Sequence, residues 1–245
     1  MKIKNAKSRS LKPSKFAKSK NSYKATNDIK SVGIAYRFIG DLQAKNYFEL
    51  IQEYAKGDLL DLGCGNVSLY QMYKPFTKNI ICADWPNSYH NSLFLDFQIN
   101  LNRPLPVKDN RFDTILLTDV LEHILNPDLL LKEMTRILKP GGKMIITVPF
   151  FHLLHEEPYD YFRYTEFRLK MFCEENGLKV LKLFPYGASL EILIDFIAKH
   201  ISFSFILSKL NYSFGKLLSN SFIGKKIYSA TFSKYPLGYC LVAQK

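Results

Sequence analysis

The sequence predicts an α/β domain with a mostly parallel sheet and helices on both faces. Three observations carry that reading. The run Leu59-Leu60-Asp61-Leu62-Gly63-Cys64-Gly65-Asn66 reads as a buried strand entering a glycine turn, the place where open α/β sheets bind ligands. Short apolar strands alternate with helical segments on either side of it. Proline and glycine punctuate these segments at Pro75, Pro140-Gly141-Gly142, Pro149 and Gly177. The 245 residues suffice for one large domain with a sizeable core.

Taken in order, residues 1–30 are rich in Lys, Ser and Asn and have little to bury, so they read as a disordered basic tail. The domain then runs over 31–245. Phe38, Leu42, Tyr47, Leu50, Ile51 and Tyr54 recur at helical spacing between Tyr36 and Lys56, and Gly57 ends that helix. The first strand is Asp58–Leu62, and a helix follows over Val67–Tyr73. The second strand is Asn79–Ala83, ending at Asp84, and the third is near Leu93–Phe97. Thr114–Thr118 is the fourth. A helix over Pro127–Leu138 has Asn126 at its N-cap and Pro127 at its first position. Lys143–Val148 is the fifth strand. A helix over Thr165–Asn176 precedes the sixth, Leu178–Phe184, and Gly238–Ala243 is the seventh.

Residues 187–234 form a helical insertion between the sixth and seventh strands. The insertion is apolar and aromatic, and Glu191, Asp195 and Lys199 make one polar stripe along it. Its wide apolar face requires cover from the body, a partner or a lipid surface.

Charge is unevenly placed. The net charge is +12. Nine Lys and Arg9 against Asp28 give residues 1–30 a charge of +9, and seven Lys against Glu191 and Asp195 give 187–245 a charge of +5. The middle is left at −2. The body is thus near neutral and offers nucleic acid no basic groove, whereas the ends suit an anionic surface. Peripheral membrane contact is therefore expected through 1–30 and 187–234. Cys64, Cys82, Cys173 and Cys240 are widely spaced, which argues against structural zinc and a disulfide framework and favours the cytoplasm. Residues 1–30 lack an apolar core segment, so no signal peptide is expected.

Asp84 follows Asp61 by 23 positions. An acidic residue about 20 positions past a glycine turn accepts hydrogen bonds from ribose hydroxyls. Ser68 stands where a dinucleotide site has its third glycine, which favours a nucleoside without a diphosphate.

The run from Leu60 to Gly65, Asp84, Leu95-Asp96-Phe97, Phe112-Asp113, Val120-Leu121-Glu122-His123 and Arg136-Ile137-Leu138-Lys139-Pro140-Gly141-Gly142 resembles class I S-adenosylmethionine-dependent methyltransferases. It is most similar to their bacterial small-molecule branch. The resemblance covers about 36–184 and the last strand. It implies a Rossmann-like seven-stranded sheet of order 3-2-1-4-5-7-6 with strand seven antiparallel, and S-adenosyl-L-methionine as cofactor. It further implies that Asp61, Gly63 and Gly65 surround the methionine and ribose. Asp84 would hold the ribose hydroxyls and Trp85 cover the adenine. Asp96 would accept from the adenine amino group with Phe97 beside it, and Thr118 and Asp119 would face the methionine end. Many members have a third glycine near position 67, where this chain has Val67.

Acceptor groups are expected on loops at the same sheet edge. Residues 149–165 are dense in aromatic and ionisable side chains. His152 or His155 is suited to general base, and Asp160 to orienting it or binding a hydroxyl. Arg163 suits a phosphate or carboxylate, and Tyr159, Tyr161 and Tyr164 suit stacking on a ring. The competing reading is an Asp160–Arg163 ion pair anchoring the loop, with Thr165 capping the next helix. For Glu122 and His123 the competing reading is the start of a helix. His155, Glu156 and Glu157 are too close in sequence to converge on one ion, so no metal is expected.

The reading is a cytoplasmic methyltransferase, peripheral at the inner membrane face. It would O-methylate a small or lipid-linked sugar, quinone or phenol. The alternatives are an RNA or protein methyltransferase and a non-catalytic, membrane-docked cofactor-binding protein.

Overall fold

A computed structural model describes residues 14–87 and 94–245. Its centre is β3 (Gly57–Leu62), which pairs in parallel with β4 (Thr77–Asp84) on one side and β6 (Phe112–Thr118) on the other. β5 (Phe97–Gln98) extends the sheet beyond β4. On the other side β7 (Leu138–Pro149) follows β6, then β9 (Gly238–Gln244) and β8 (Lys179–Tyr186). β9 is antiparallel to both its neighbours. Counted along the chain from β3, the order is 3-2-1-4-5-7-6, as the resemblance implies. The order reverses at β3, so its carboxyl end opens onto a crevice between diverging connections.

Alternation along β3 builds a core on each face. Leu60 and Leu62 pack with Ile115, Leu117 and Met144, and with Met134 of α3 (Pro127–Ile137) and Phe172 of α4 (Glu166–Glu175). Leu59 faces the other way, onto Leu50 and Ile51 of α1 (Arg37–Tyr54). All five leucine and isoleucine positions from Leu50 to Leu62 named here are at most 1% exposed, and truncating any of them to alanine costs about 2–5 kcal/mol.

Four local expectations are corrected. First, residues 14–30 are not a disordered tail. Phe16–Ser19 (β1) and Ser22–Ala25 (β2) form an antiparallel hairpin. Phe16, Tyr23 and Ala25 supply the apolar anchors hidden among the lysines. The Tyr23 hydroxyl donates to Gln71 O at 3.0 Å, and Ala25 N–H donates to Asp41 Oδ1 at 3.0 Å. Residues 1–13 lie outside the described residues. Second, the helix expected from Val67 begins later, as α2 (Tyr70–Tyr73), because Val67 has a φ of 50°. Third, the strand expected at Leu93–Phe97 is the two-residue β5; residues 88–93 lie outside the described residues. Fourth, Asn126 holds the N-cap position of α3 as expected, but its side chain makes no capping hydrogen bond.

The insertion folds as α5 (Ser189–His200), α6 (Phe205–Asn220) and α7 (Phe222–Thr231). The inner face of α5 is mixed, burying Leu190, Ile194 and Ala198 together with two carboxylates. Glu191 and Asp195 are buried, Asp195 pairing with Lys199, while Leu193, Phe196 and Ile197 face outward. Phe203, Ile206, Leu210, Phe214, Leu217 and Phe222 are also exposed. α6 is latched to α1 by Tyr212 and Lys216, which both donate to Asp41 Oδ2. Among the described residues no helix is long and apolar enough to cross a membrane.

Candidate functional site

Beyond β3 the chain turns at Gly63 and Gly65, whose φ values are 66° and 52°. A Cβ on Gly63 would stand 2.5 Å from Val120 Cγ2, so only glycine lets the backbone pass here. Asp61, at the end of β3, accepts from the buried Tyr73 hydroxyl at 2.9 Å. Asp84 ends β4 and accepts from the Trp85 N–H at 2.7 Å. Asp119 follows β6, and its carboxylate accepts from the Tyr47 hydroxyl, from Gln43 Nε2 at 3.3 Å and from Thr147 Oγ1 at 3.0 Å.

Two cavities flank the turn and share Gly63, Asp119, His123 and Glu156, which makes them halves of one cleft. The first, of about 320 Å³, is lined by Asp84, Trp85, Asn100, Leu101, Tyr159 and Tyr161 among others. The second, of about 260 Å³, is lined by Asp61, Gly65, Thr118, Glu122, His152 and His155 among others. Asp61, Gly63, Gly65, Asp84, Trp85, Thr118 and Asp119 therefore meet around one space. Asp96 and Phe97 do not line it. Asp96 Oδ2 accepts from the Cys82 N–H at 2.9 Å, and Phe97 packs against the core. Asn100 and Leu101, just past β5, do line that space. Lys15, Phe16, Gln43 and Tyr47 also reach the second cavity. The first two were hidden by the basic composition around them, and the last two lie on a helix read only for its apolar spacing.

The 149–165 segment lies across the turn Leu121–His123. The N–H groups of Tyr161 and Phe162 both donate to Glu122 O, at 2.9 and 3.2 Å. Tyr164 does not present its ring to the cleft: it is buried, and its hydroxyl donates to Leu121 O at 3.2 Å. Arg163 is likewise committed elsewhere. Its Nη1 and Nη2 donate to the two Asp160 oxygens at 2.5 and 2.7 Å. Burial works against the Asp160 carboxylate, but Arg163 and the His155 N–H hold it well below the usual carboxylate range. The loop anchor weighed from the sequence is thus present, and Thr165 caps α4.

His152 and His155 do reach the second cavity, with ring centroids 4.8 Å apart. Desolvation lowers the His152 pKa. Its Nδ1 is 2.9 Å from the Leu153 carbonyl, which can only accept, so Nδ1 carries the proton and Nε2 the lone pair. His155 is raised, chiefly by the Glu122 carboxylate. Glu122 is itself raised by burial.

Residues 60–146 match a family model described as a methyltransferase domain. An uncharacterized protein of Methanocaldococcus jannaschii is 35% identical over 37% of this chain and 40% of its own length. A protein named ubiquinone biosynthesis O-methyltransferase, from Cereibacter sphaeroides, is 31% identical over 46% of this chain and 47% of its own. The chain therefore spans less than half of each of these relatives. A solved structure described as a SAM-dependent methyltransferase from Archaeoglobus fulgidus superposes with a TM-score of 0.55, covering 86% of this chain and 97% of that one at 14% identity. At that identity the superposition speaks for the fold alone. The family model adds what the fold leaves open, because it runs from β3 through the glycine turn and α3 into β7. Residues 60–146 thus carry a methyltransferase domain, set in a sheet of the order that the resemblance to class I S-adenosylmethionine-dependent methyltransferases implies.

Proposed function

We propose that the chain methylates a hydroxyl of a small or lipid-linked acceptor at the cleft beside Gly63. The observation that carries this reading is the meeting of the two cavity halves, with neutral His152 on the wall of the second. The residues suit S-adenosylmethionine. The first half offers a carboxylate, Asp84, with the apolar and polar walls of Trp85, Leu101 and Asn100 that a nucleoside needs. The second offers a glycine cradle and the carboxylates of Asp61 and Asp119, suited to the ammonium and sulfonium charges of a methionine moiety. When bound, that cofactor supplies a methyl group activated by its sulfonium charge.

The chain's own work is alignment, exclusion of water and proton removal. Tyr159 and Tyr161 on the wall of the first half position the acceptor ring. An acceptor oxygen lone pair would form the new C–O bond as the S–CH3 bond breaks and leaves its electron pair on sulfur, and His152 Nε2 would take the hydroxyl proton. Asp160 and Arg163 position His155 and hold the loop. The name of the Cereibacter relative supports an oxygen acceptor and a quinone-like ring.

The lipid-linked part rests on the apolar outer face of α5 and the exposed aromatic residues of α6 and α7. A helix that buries carboxylates and exposes Phe196 and Ile197 pays for it unless that face is covered. Lys209, Lys225 and Lys226 nearby favour an anionic bilayer of the cytoplasmic leaflet.

Calorimetry with S-adenosylhomocysteine tests the cofactor, and absence of binding ends the proposal. Mass spectrometry of quinol, phenol and sugar acceptors should find a product heavier by one CH2. Flotation with anionic vesicles should carry the wild type and lose the Ile206→Glu/Phe222→Glu double variant; equal flotation of both removes the membrane role.

A further inference from the structure

Glu122, His123 and His155 converge where the two cavity halves join. Glu122 and His123 are consecutive on the turn after β6, and His155 arrives from the 149–165 segment. The Nε2 atoms of His123 and His155 lie 3.7 and 3.6 Å from the same Glu122 Oε1. One ligand atom from each of the three falls within 4.8 Å of the others. Glu122 is fully buried, and neither of its oxygens accepts a hydrogen bond. A buried carboxylate without such bonds is costly unless a cation completes its surroundings.

The orientation of the imidazoles says which cation. His123 Nδ1 is 2.8 Å from the Tyr159 carbonyl oxygen. A carbonyl only accepts, so Nδ1 carries the proton and the Nε2 lone pair is turned toward Glu122. His155 Nδ1 lies 3.2 Å from Asp160 Oδ2, in a contact too bent for a good hydrogen bond. That carboxylate is itself fixed by Arg163 and by the His155 N–H at 3.0 Å. The second Nε2 likewise faces Glu122, at 3.6 Å. Two lone pairs facing a carboxylate repel one another; a proton on one imidazole or a metal ion relieves this, and only the metal ion engages all three groups at once. Imidazoles backed by a carbonyl or a carboxylate are how proteins aim histidines at metals.

We propose that Glu122, His123 and His155 hold one divalent transition-metal ion, whose open side faces the cleft and takes the acceptor's hydroxyl oxygen. Two imidazole nitrogens and one carboxylate suit Zn²⁺, Fe²⁺, Co²⁺ or Mn²⁺ better than Ca²⁺ or Mg²⁺. Bonds of about 2.1 Å in a tetrahedral site set neighbouring donors about 3.4 Å apart. The two Glu122–histidine separations are therefore near their bound values, and the histidine pair closes by side-chain rotation. The ion lowers the pKa of a coordinated hydroxyl, and the proton passes to His152. This role rests on the methyl-transfer reading; the metal site itself does not.

The experiment uses the full chain, stripped with a chelator and dialysed against Zn²⁺, Mn²⁺ or Co²⁺, with metal counted by elemental analysis. One ion per chain is expected for Zn²⁺ or Co²⁺, and bound Co²⁺ should show visible ligand-field absorption. Glu122→Gln keeps the side-chain shape, and His155→Gln removes one donor. Each should weaken binding at least tenfold, while His200→Gln, at the far end of α5, should leave it unchanged. Substoichiometric binding by folded wild type, or undiminished binding in both site variants, overturns the proposal. Calorimetry with S-adenosylhomocysteine in the metal-free protein separates the two readings. Metal without cofactor binding sinks methyl transfer and leaves the ion site; cofactor without metal does the opposite.

Discussion

Gly63→Ala probes the feature on which the cleft depends. Two contributions follow from the geometry. Residue 63 has a φ of 66°, and an alanine held in that left-handed region costs about 1–2 kcal/mol. The new Cβ would also stand 2.5 and 2.7 Å from the two Val120 methyl carbons, where carbon–carbon contact requires about 3.5–4.0 Å. Val120 must then move by roughly 1 Å, and overpacking of this kind costs about 1–3 kcal/mol. The sum is about 2–5 kcal/mol. Gly177→Ala isolates the first contribution, because Gly177 has a φ of 64° and no atom within 4 Å of a built Cβ. At about 2–4 °C per kcal/mol for a chain of this size, the melting temperature should fall by roughly 4–20 °C in the first variant and roughly 2–8 °C in the second. Val120 lines the first cavity, so its displaced methyls intrude on the space for the cofactor. Calorimetry should find weaker S-adenosylhomocysteine binding in Gly63→Ala alone. Equal stability of the two variants, with equal affinity, would refute the argument.

Asp84→Ala should weaken S-adenosylhomocysteine binding at least tenfold in the same titration; unchanged affinity removes Asp84 from the nucleoside half. Tyr73→Phe deletes the hydroxyl that donates to buried Asp61. Bonds to a charged group contribute about 1.5–3 kcal/mol, so the denaturant midpoint should drop measurably, and an unshifted midpoint would show Asp61 otherwise satisfied. Acid should act through Asp58 and Asp113. Asp58 is held low by Asn79 and Arg111, and Asp113 by Lys139 and the Asp58 N–H against the opposing effect of burial. Folded-state values below the unfolded ones mean stability that is present at neutral pH and is lost as pH falls through about 4 and below. Asp58→Asn should flatten that part of the melting-temperature profile, and an unchanged slope counts against the assignment.

The fold was legible where local pattern and tertiary demand coincide. β3, β6 and the later part of β7 are apolar runs bounded by turns, and burial on both faces leaves such runs no other use. Legibility failed where a few residues act against their surroundings. Phe16, Tyr23 and Ala25 anchor a hairpin inside a lysine-rich stretch, and composition averages them away. Val67 adopts a conformation suited to glycine, which delays α2 in a way that no helix propensity reports. In α5 the residues at positions 191 and 195 are charged yet buried. Periodicity finds such a stripe but does not say which side is inside; only packing against Ser219 and Lys199 settles that.

The same distinction separates the two halves of the site. One part follows from short runs at strand ends, so Asp61, Gly63, Gly65, Asp84 and Trp85 can be read along the chain. The other half is assembled from groups far apart in sequence. Glu122 and His155 are 33 positions apart, and only the docking of Tyr161 and Phe162 onto the Glu122 carbonyl brings them together. The carboxylates beside His155 are Glu122, on the turn beneath it, and Asp160, rather than its sequence neighbours Glu156 and Glu157. The same docking explains why Arg163 and Tyr164, chemically apt for an acceptor, are used to fasten the segment instead. Residue type in this loop therefore says little about role until the carbonyl of Glu122 is known to be its anchor.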